Sequence, residues 1–254
     1  MNWSSNLGFL LATVGSAIGL GNVWRFSYLA GENGGAAFIL VYLLAVVLIG
    51  IPLLLVEFSV GKAGGSDPTR SFPRLSGRKR AAALGWLPVL TCAFGLAYYA
   101  VIAGWVARYF VLAVSGRVAL EPPEGFAAAF EEFRARPIEP LVWQAAVMAA
   151  SGAVVAAGVN EGIERLCKTA LPILALIIVA LAIYSLSLPG SRGGVDFLFL
   201  PDWSALARPQ VYLTALGQAF FSLGVGFGVL LVYGAYAGRG QSLPVIAVGA
   251  AVAD

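Results

Sequence analysis

The sequence predicts an all-helical, polytopic membrane protein, and three observations carry that prediction. Hydrophobic residues make up 59% of the 254 residues, only 11% are charged and the mean hydropathy is +0.85, whereas a soluble domain carries about 25% charged residues. Apolar runs long enough to cross a bilayer recur along the whole chain with Pro and Gly inside them, and strand-like alternation is weak, which argues against a β-barrel. Two of these runs are interrupted in mid-span by glycines and polar residues, which a plain membrane anchor does not need.

Composition also excludes several chemistries. There is no histidine, so zinc sites and His-based triads are not expected. Cys92 and Cys167 fall in or beside apolar runs without paired spacing, and neither a disulfide framework nor a metal site is read from them. The net charge of +3 implies no nucleic acid, because in a membrane protein the placement of Lys and Arg carries the information. Arg25 is the first cationic residue, so no basic stretch precedes the first apolar run and a cleaved signal peptide is not expected.

Taken in order, the spans are expected at about residues 6–29, 36–61, 84–114, 141–159, 165–188 and 211–237, all in one transmembrane domain, with the start of a seventh at 243–254. The loop between the second and third holds Lys62, Arg70, Arg74, Arg78, Lys79 and Arg80 against the single acid Asp67. The next, 115–140, holds five acids, Glu121, Glu124, Glu131, Glu132 and Glu139, and three arginines. With Arg165, Lys168 and Arg239, nine basic residues lie on the N-terminal side and five on the other, which places the N-terminus in the cytoplasm and loop 115–140 outside. The seventh run is still apolar as it reaches Asp254. A helix stopping there would leave carbonyls unsatisfied in hydrocarbon, so the chain is expected to be an incomplete fragment.

The first interrupted run is GSAIGLGNVWRF, 15–26. Gly15, Gly19 and Gly21 each weaken a helix by about 1 kcal/mol relative to Ala, and Asn22 and Arg25 at membrane depth require partners. The pattern asks for a broken helix, whose freed carbonyls can coordinate a cation and whose freed amides can hold an anion beside a protein-lined cavity. The second run is GQAFFSLGVGFG, 217–228, with Gly224, Gly226 and Gly228 beside Gln218 and Ser222. Close helix packing through small residues is the alternative for a lone glycine-rich span. Two such spans carrying Asn, Arg, Gln and Ser at their breaks favour a binding site.

At these motifs, with GENGGAAF at 31–38, the chain resembles the neurotransmitter:sodium symporters, in particular the bacterial sodium-dependent amino-acid transporters; the resemblance covers essentially residues 3–242. It implies a leucine-transporter-like fold of about twelve helices in inverted repeats, of which this chain would hold the first repeat plus the sixth helix, with helices 1 and 6 discontinuous. It also implies sodium-coupled symport of an amino acid by alternating access, two Na+ sites and no enzymatic activity. One sodium would be held by the carbonyl of Ala17, the side chain of Asn22 and the oxygens of Ser222, completed by the substrate carboxylate. A second would take the carbonyls of Gly15 and Ile18, with its other ligands after Asp254. The substrate carboxylate would sit on the amides of Leu20 and Gly21, at the positive end of a half-helix. Its ammonium would face the carbonyls of Ala17, Phe221 and Ser222.

The resemblance also gives Tyr99 a hydrogen bond to the substrate carboxylate, a packing tyrosine being the alternative. Phe227 would line the side-chain pocket. Arg25 would form an outer gate with a partner beyond Asp254, a snorkelling arginine being the other reading. Glu57 would support the unwound backbone of the sixth helix, with proton shuttling as the sharper alternative. Tyr42, Gln218 and Ser222 match a chloride site, and the seventh-helix residue that decides between chloride and a built-in carboxylate is expected to be absent, so chloride dependence stays open. Gly162 and Pro172 match a G-x9-P spacing where the fifth helix is thought to unwind, a spacing common by chance.

Gly95 lies one helical turn before Tyr99, where leucine-transporting relatives carry a branched residue, and Gly224 stands where they carry serine. Both would widen the pocket, predicting a bulky or aromatic amino acid; that Gly95 only packs against a neighbouring helix is the alternative. Location in a bacterial-type inner membrane follows from the same resemblance. Two other readings are an inactive membrane fragment and an intramembrane enzyme, for which Ser222 lacks a base in this sequence.

Overall fold

The computed structural model describes residues 3–117 and 125–254. Glu121 and Glu124 of the acidic loop lie outside the described residues. Among those described, every regular element is helical. The chain divides into two compact units, one comprising Met1–Val89 with Val159–Asp254, the other Leu90–Gly158.

In the first unit, α1 (Asn6–Ala17) starts at Ser5, whose side chain accepts from the Gly8 amide, an N-cap satisfying one orphan donor. It ends where Ile18 turns extended (ψ 113°). A wide-turn helical segment, Gly21–Phe26, runs into α2 (Ser27–Glu32). The two halves are bent by 53° at this break. α3 (Ala36–Ala45) passes through a second wide turn, Val46–Gly50, into α4 (Ile51–Gly64), which together are long and apolar enough to cross a membrane. Then follow α5 (Pro68–Ser76), capped by Asp67, and the short turn Lys79–Ala81 that opens α6 (Ala82–Val114).

After α6, the unit Leu90–Gly158 contains α7 (Phe126–Ala135) and α8 (Glu139–Ala156). There Arg108 lies over the Phe133 ring at 4.1 Å and pairs with Glu139 at 2.8 Å. The first unit resumes with Val159–Glu164 leading without a loop into α9 (Arg165–Ser187), so Arg165 and Lys168 stand on a helix, Gly162 in its wide first turn and Pro172 inside it. α10 (Ser191–Phe199) and the turn Trp203–Ala207 precede α11 (Pro209–Leu223) and α12 (Val229–Ala235), which are separated by residues 224–228; α13 (Leu243–Ala253) is last.

Packing in this unit centres on the two broken helices. α12 lies against α4 and α11 against α3. The buried cluster includes Phe9, Phe38, Leu54, Phe58, Val211, Leu223, Leu230 and Ile246. Trp3 closes its end, stacked on Phe9 with ring centres 5.3 Å apart and donating from Nε1 to the Tyr233 carbonyl at 2.9 Å. By contrast, α8 and α9 bury no residue, the condition of helices that face hydrocarbon or further helices.

The α4–α12 approach depends on glycines. A Cβ on Gly234 would meet the Phe58 backbone, and one on Gly61 the Leu231 carbonyl, so the two backbones come closer than any side chain permits, as small residues allow in membranes. Gly61→Val is expected to destabilise the chain by roughly 1–3 kcal/mol or more, the range for overpacking. Gly152→Ala, on α8 with no atom within 4 Å of its would-be Cβ, should be neutral or slightly stabilising. Thermal unfolding in detergent micelles compares the two, and an unchanged midpoint for Gly61→Val contradicts this packing account.

Candidate functional site

The break in the first helix turns on a single rerouted amide. In a continuous helix the Gly19 N–H would bond the Gly15 carbonyl; here it donates to Asn22 Oδ1 at 3.1 Å. The Gly15 carbonyl loses its helical partner, and Ile18, extended, turns the chain out of the helix. Gly15 is also pressed against α9, since a Cβ there would lie 2.6 Å from Cys167 Sγ.

Asn22 links the two broken helices. Its Nδ2 donates to Ser222 Oγ at 2.9 Å and to Asp254 Oδ1 at 2.6 Å. Ser222 lies 2.7 Å from Asp254 Oδ2, and the Tyr42 hydroxyl donates to the same oxygen at 3.0 Å. Four residues from α3, the first break, α11 and the end of α13 thus bring the Asn22 amide nitrogen and two hydroxyls onto one carboxylate. Among the described residues no Lys or Arg pairs with Asp254, so its negative charge has no protein counter-charge there. The carboxylate is met there by three hydrogen-bond donors, Asn22 Nδ2, Ser222 Oγ and the Tyr42 hydroxyl. No group of three or more His, Cys, Asp or Glu able to hold a metal occurs among the described residues.

Asp254 is the residue that sequence reasoning missed. Asp254, which follows α13, was not singled out from the sequence, and the structure sets its carboxylate against Tyr42 and Ser222. In sequence, the only signal was an acid ending an apolar run. Gln218, grouped with Tyr42 and Ser222 in the sequence, lies one turn before Ser222 on the same face of α11. It is fully buried, donates to the Gly21 carbonyl at 3.3 Å and accepts from Arg25.

Above this cluster, the Arg25 guanidinium stands 5.0 Å from the centre of the Phe221 ring, which meets Phe227 edge-on at 6.5 Å. Gly21 must remain bare, because a Cβ would lie 2.6 Å from the Phe221 ring. Gly224, Gly226 and Gly228 all adopt positive φ (68°, 89° and 73°), a conformation side chains resist, and this unwinds the second broken helix. A Cβ on Gly224 would meet nothing within 4 Å. Glu57 braces the gap, its Oε1 accepting from the Gly226 amide at 2.7 Å, while Oε2 is buried without a partner among the described residues. Ala17 ends α1, and Leu20 and Gly21 open the following segment. Gly95 and Tyr99 stand on α6 within the unit Leu90–Gly158.

Two broken helices meet at this cluster, and comparison with known proteins shows the family to which such an arrangement belongs. The model of the sodium:neurotransmitter symporter family matches residues 1–122 and 138–249. The chain belongs to this family. An uncharacterized sodium-dependent transporter of Bacillus subtilis is 38% identical over 244 residues, covering 96% of this chain and 54% of that protein. The sodium-dependent neutral amino acid transporter B(0)AT2 of Bos taurus is 31% identical over 268 residues, covering 92% and 36%. The crystal structure of MhsT in complex with L-phenylalanine superposes with a TM-score of 0.91 at 49% identity, covering 99% of this chain and 57% of that one. The chain therefore has the leucine-transporter-like fold of an integral membrane symporter-family protein, and spans about half the length of such relatives.

The Glu57 brace can be weighed directly. Glu57→Leu should remove the hydrogen bond to the exposed Gly226 amide and destabilise the chain by about 0.5–1.5 kcal/mol, the net worth of such a bond. Glu57→Gln keeps an acceptor and should lose less. Thermal unfolding of both variants in detergent is the measurement, and equal losses would show that the bond to Gly226 contributes nothing of its own.

Proposed function

We propose that this chain forms the sodium- and substrate-binding half of a sodium-coupled amino-acid symporter working by alternating access, and that it is not an enzyme. The observation that carries the reading is the Asp254 carboxylate, bonded by Asn22, Ser222 and Tyr42 where two broken helices meet, with no cationic side chain paired to it among the described residues. Asn22, Ser222, Asp254 and the carbonyl of Ala17 would hold the first sodium; the carbonyls of Gly15 and Ile18 would contribute to the second. A bound cation supplies the missing positive charge. Leu20 and Gly21, at the start of a half-helix, would receive the substrate carboxylate, with Tyr99 as a further donor, and the carbonyls of Phe221 and Ser222 would face its ammonium. Arg25, held over Phe221 and bonded to Gln218, stands as the outer gate.

The same carboxylate bears on chloride. Its negative charge already rests on Tyr42 and Ser222, where an anion would bind, so chloride is not required. The excess of Lys and Arg on the N-terminal side supports a cytoplasmic N-terminus in a bacterial-type inner membrane.

In the complete protein, amino-acid binding is expected to require sodium and to be the same in chloride and gluconate buffers. Asn22→Ala should weaken sodium and amino acid together, by about 5- to 150-fold, because linkage makes their coupling reciprocal. Scintillation-proximity binding checks this: equal binding in sodium and potassium overturns the shared site, and a chloride requirement overturns the role given to Asp254.

For the substrate, the reading favours a bulky or aromatic amino acid. MhsT, 49% identical, was crystallised with L-phenylalanine, and the open space beside Gly224 leaves room for a large side chain. A small ligand would lose contacts of about 1–3 kcal/mol per methylene. In competition binding to the complete protein, phenylalanine or tryptophan should displace the radioligand at least tenfold better than alanine, and Gly95→Val should narrow that gap. Alanine competing as well as tryptophan would overturn the size argument.

A further inference from the structure

We propose that the basic surface formed by Arg78, Lys79 and Arg80, with Arg74 beside them, binds the headgroup of an anionic phospholipid. These three consecutive cations form the turn into α6 and are exposed. Among the described residues no acid pairs with any of them. The other charges of the loop are engaged: Lys62 donates to the Gln241 carbonyl at 3.2 Å, and Arg70 lies 3.5 Å from Asp67. Thr69 bonds the Asp67 carboxylate and holds it below the usual carboxylate range, so that acid stays with Arg70. Arg74 spends one Nη1 on the Gly64 carbonyl at 3.0 Å and keeps its remaining donors exposed.

The surface is built rather than loose. α5 is seated by the burial of Pro68 and Ser71, Ser71 against Gly64 and Pro68 against Gly85 and Gly228. Depth fits as well. Directly after the cations the helix becomes apolar, with Leu84, Trp86 and Leu87 exposed at 57%, 54% and 61%, as lipid-facing residues are. At 1.5 Å per residue, Arg80 stands roughly 9 Å from Trp86 along the axis. That distance takes a charge from the edge of the hydrocarbon, where Trp prefers to lie, into the headgroup layer. Clusters of Lys and Arg immediately beside a spanning helix attract anionic lipid, and the membrane is the one source of phosphate held at that depth. The proposal depends on the chain spanning a membrane and not on sodium coupling.

Binding of phosphatidylglycerol, with phosphatidylcholine as the zwitterionic comparison, can be measured on the purified chain in detergent micelles by native mass spectrometry. Each cation near an anionic surface strengthens association about fivefold, so R78Q/K79Q/R80Q should weaken the tightest phosphatidylglycerol binding about tenfold or more and leave phosphatidylcholine unchanged. R78K/R80K should retain binding, because it keeps the charge; its retention together with an unaltered circular dichroism spectrum separates charge from folding. R117Q/R134Q/R192Q, which removes three exposed cations elsewhere, should have no effect. The proposal is overturned if the wild-type chain does not prefer phosphatidylglycerol, if the triple Gln variant retains the preference, or if the control variant loses as much. It is also overturned if millimolar inorganic phosphate displaces the lipid from the wild-type chain, since a soluble anion would then be the occupant.

Discussion

A helix that stops inside a membrane must find other partners for its backbone, and most of this structure can be understood from how two helices meet that demand. At the first break, the Asn22 side chain takes the Gly19 amide that would have closed the next helical turn. At the second, Glu57 takes the Gly226 amide. An unsatisfied amide in hydrocarbon costs several kcal/mol, so each break is stable only because a polar side chain arrives there: locally, three residues along, for Asn22, and from α4 for Glu57. The family's signature residues are therefore structural before they are functional.

The same residues then serve the site. Asn22 uses its oxygen to hold the break and its nitrogen to reach Ser222 and Asp254, so the opening of one helix is tied to the position of the other. Any movement of α11 relative to the first break must remake these bonds. The arrangement ties the position of the Asp254 carboxylate to the geometry of both helices.

Close approach is the second constraint. α12 can brace against α4 only because Gly61 and Gly234 present bare backbone to each other's helix, and Gly21 can pass Phe221 only for the same reason. Where these helices are packed to backbone distance, α8 and α9 bury no residue. In the unit Leu90–Gly158, a Cβ on Gly104 of α6 would lie 2.8 Å from the Gln144 backbone nitrogen, so α6 and α8 also approach to backbone distance.

Much of this was legible in the sequence. Composition and run length determined an all-helical membrane protein, because no other backbone arrangement of such apolar segments satisfies its own hydrogen bonds in lipid. The glycines of 15–21 and 224–228 marked both breaks, since their cost inside a helix is intrinsic to the residue, as is the tolerance of positive φ that Gly224, Gly226 and Gly228 use. What the sequence did not determine was who meets whom across 200 residues. Asp254 reads as an acid at the end of an apolar run, and Gln218 as a neighbour of Ser222 in the same cluster. Only the packing of α13 against α1 brings Asp254 to Asn22, and only the approach of α11 to the first break gives Gln218 the Gly21 carbonyl and Arg25 as partners. Local rules set where a helix must break, because they act through the residue's own backbone; partners are chosen by helix packing, which depends on every side chain in the interface at once.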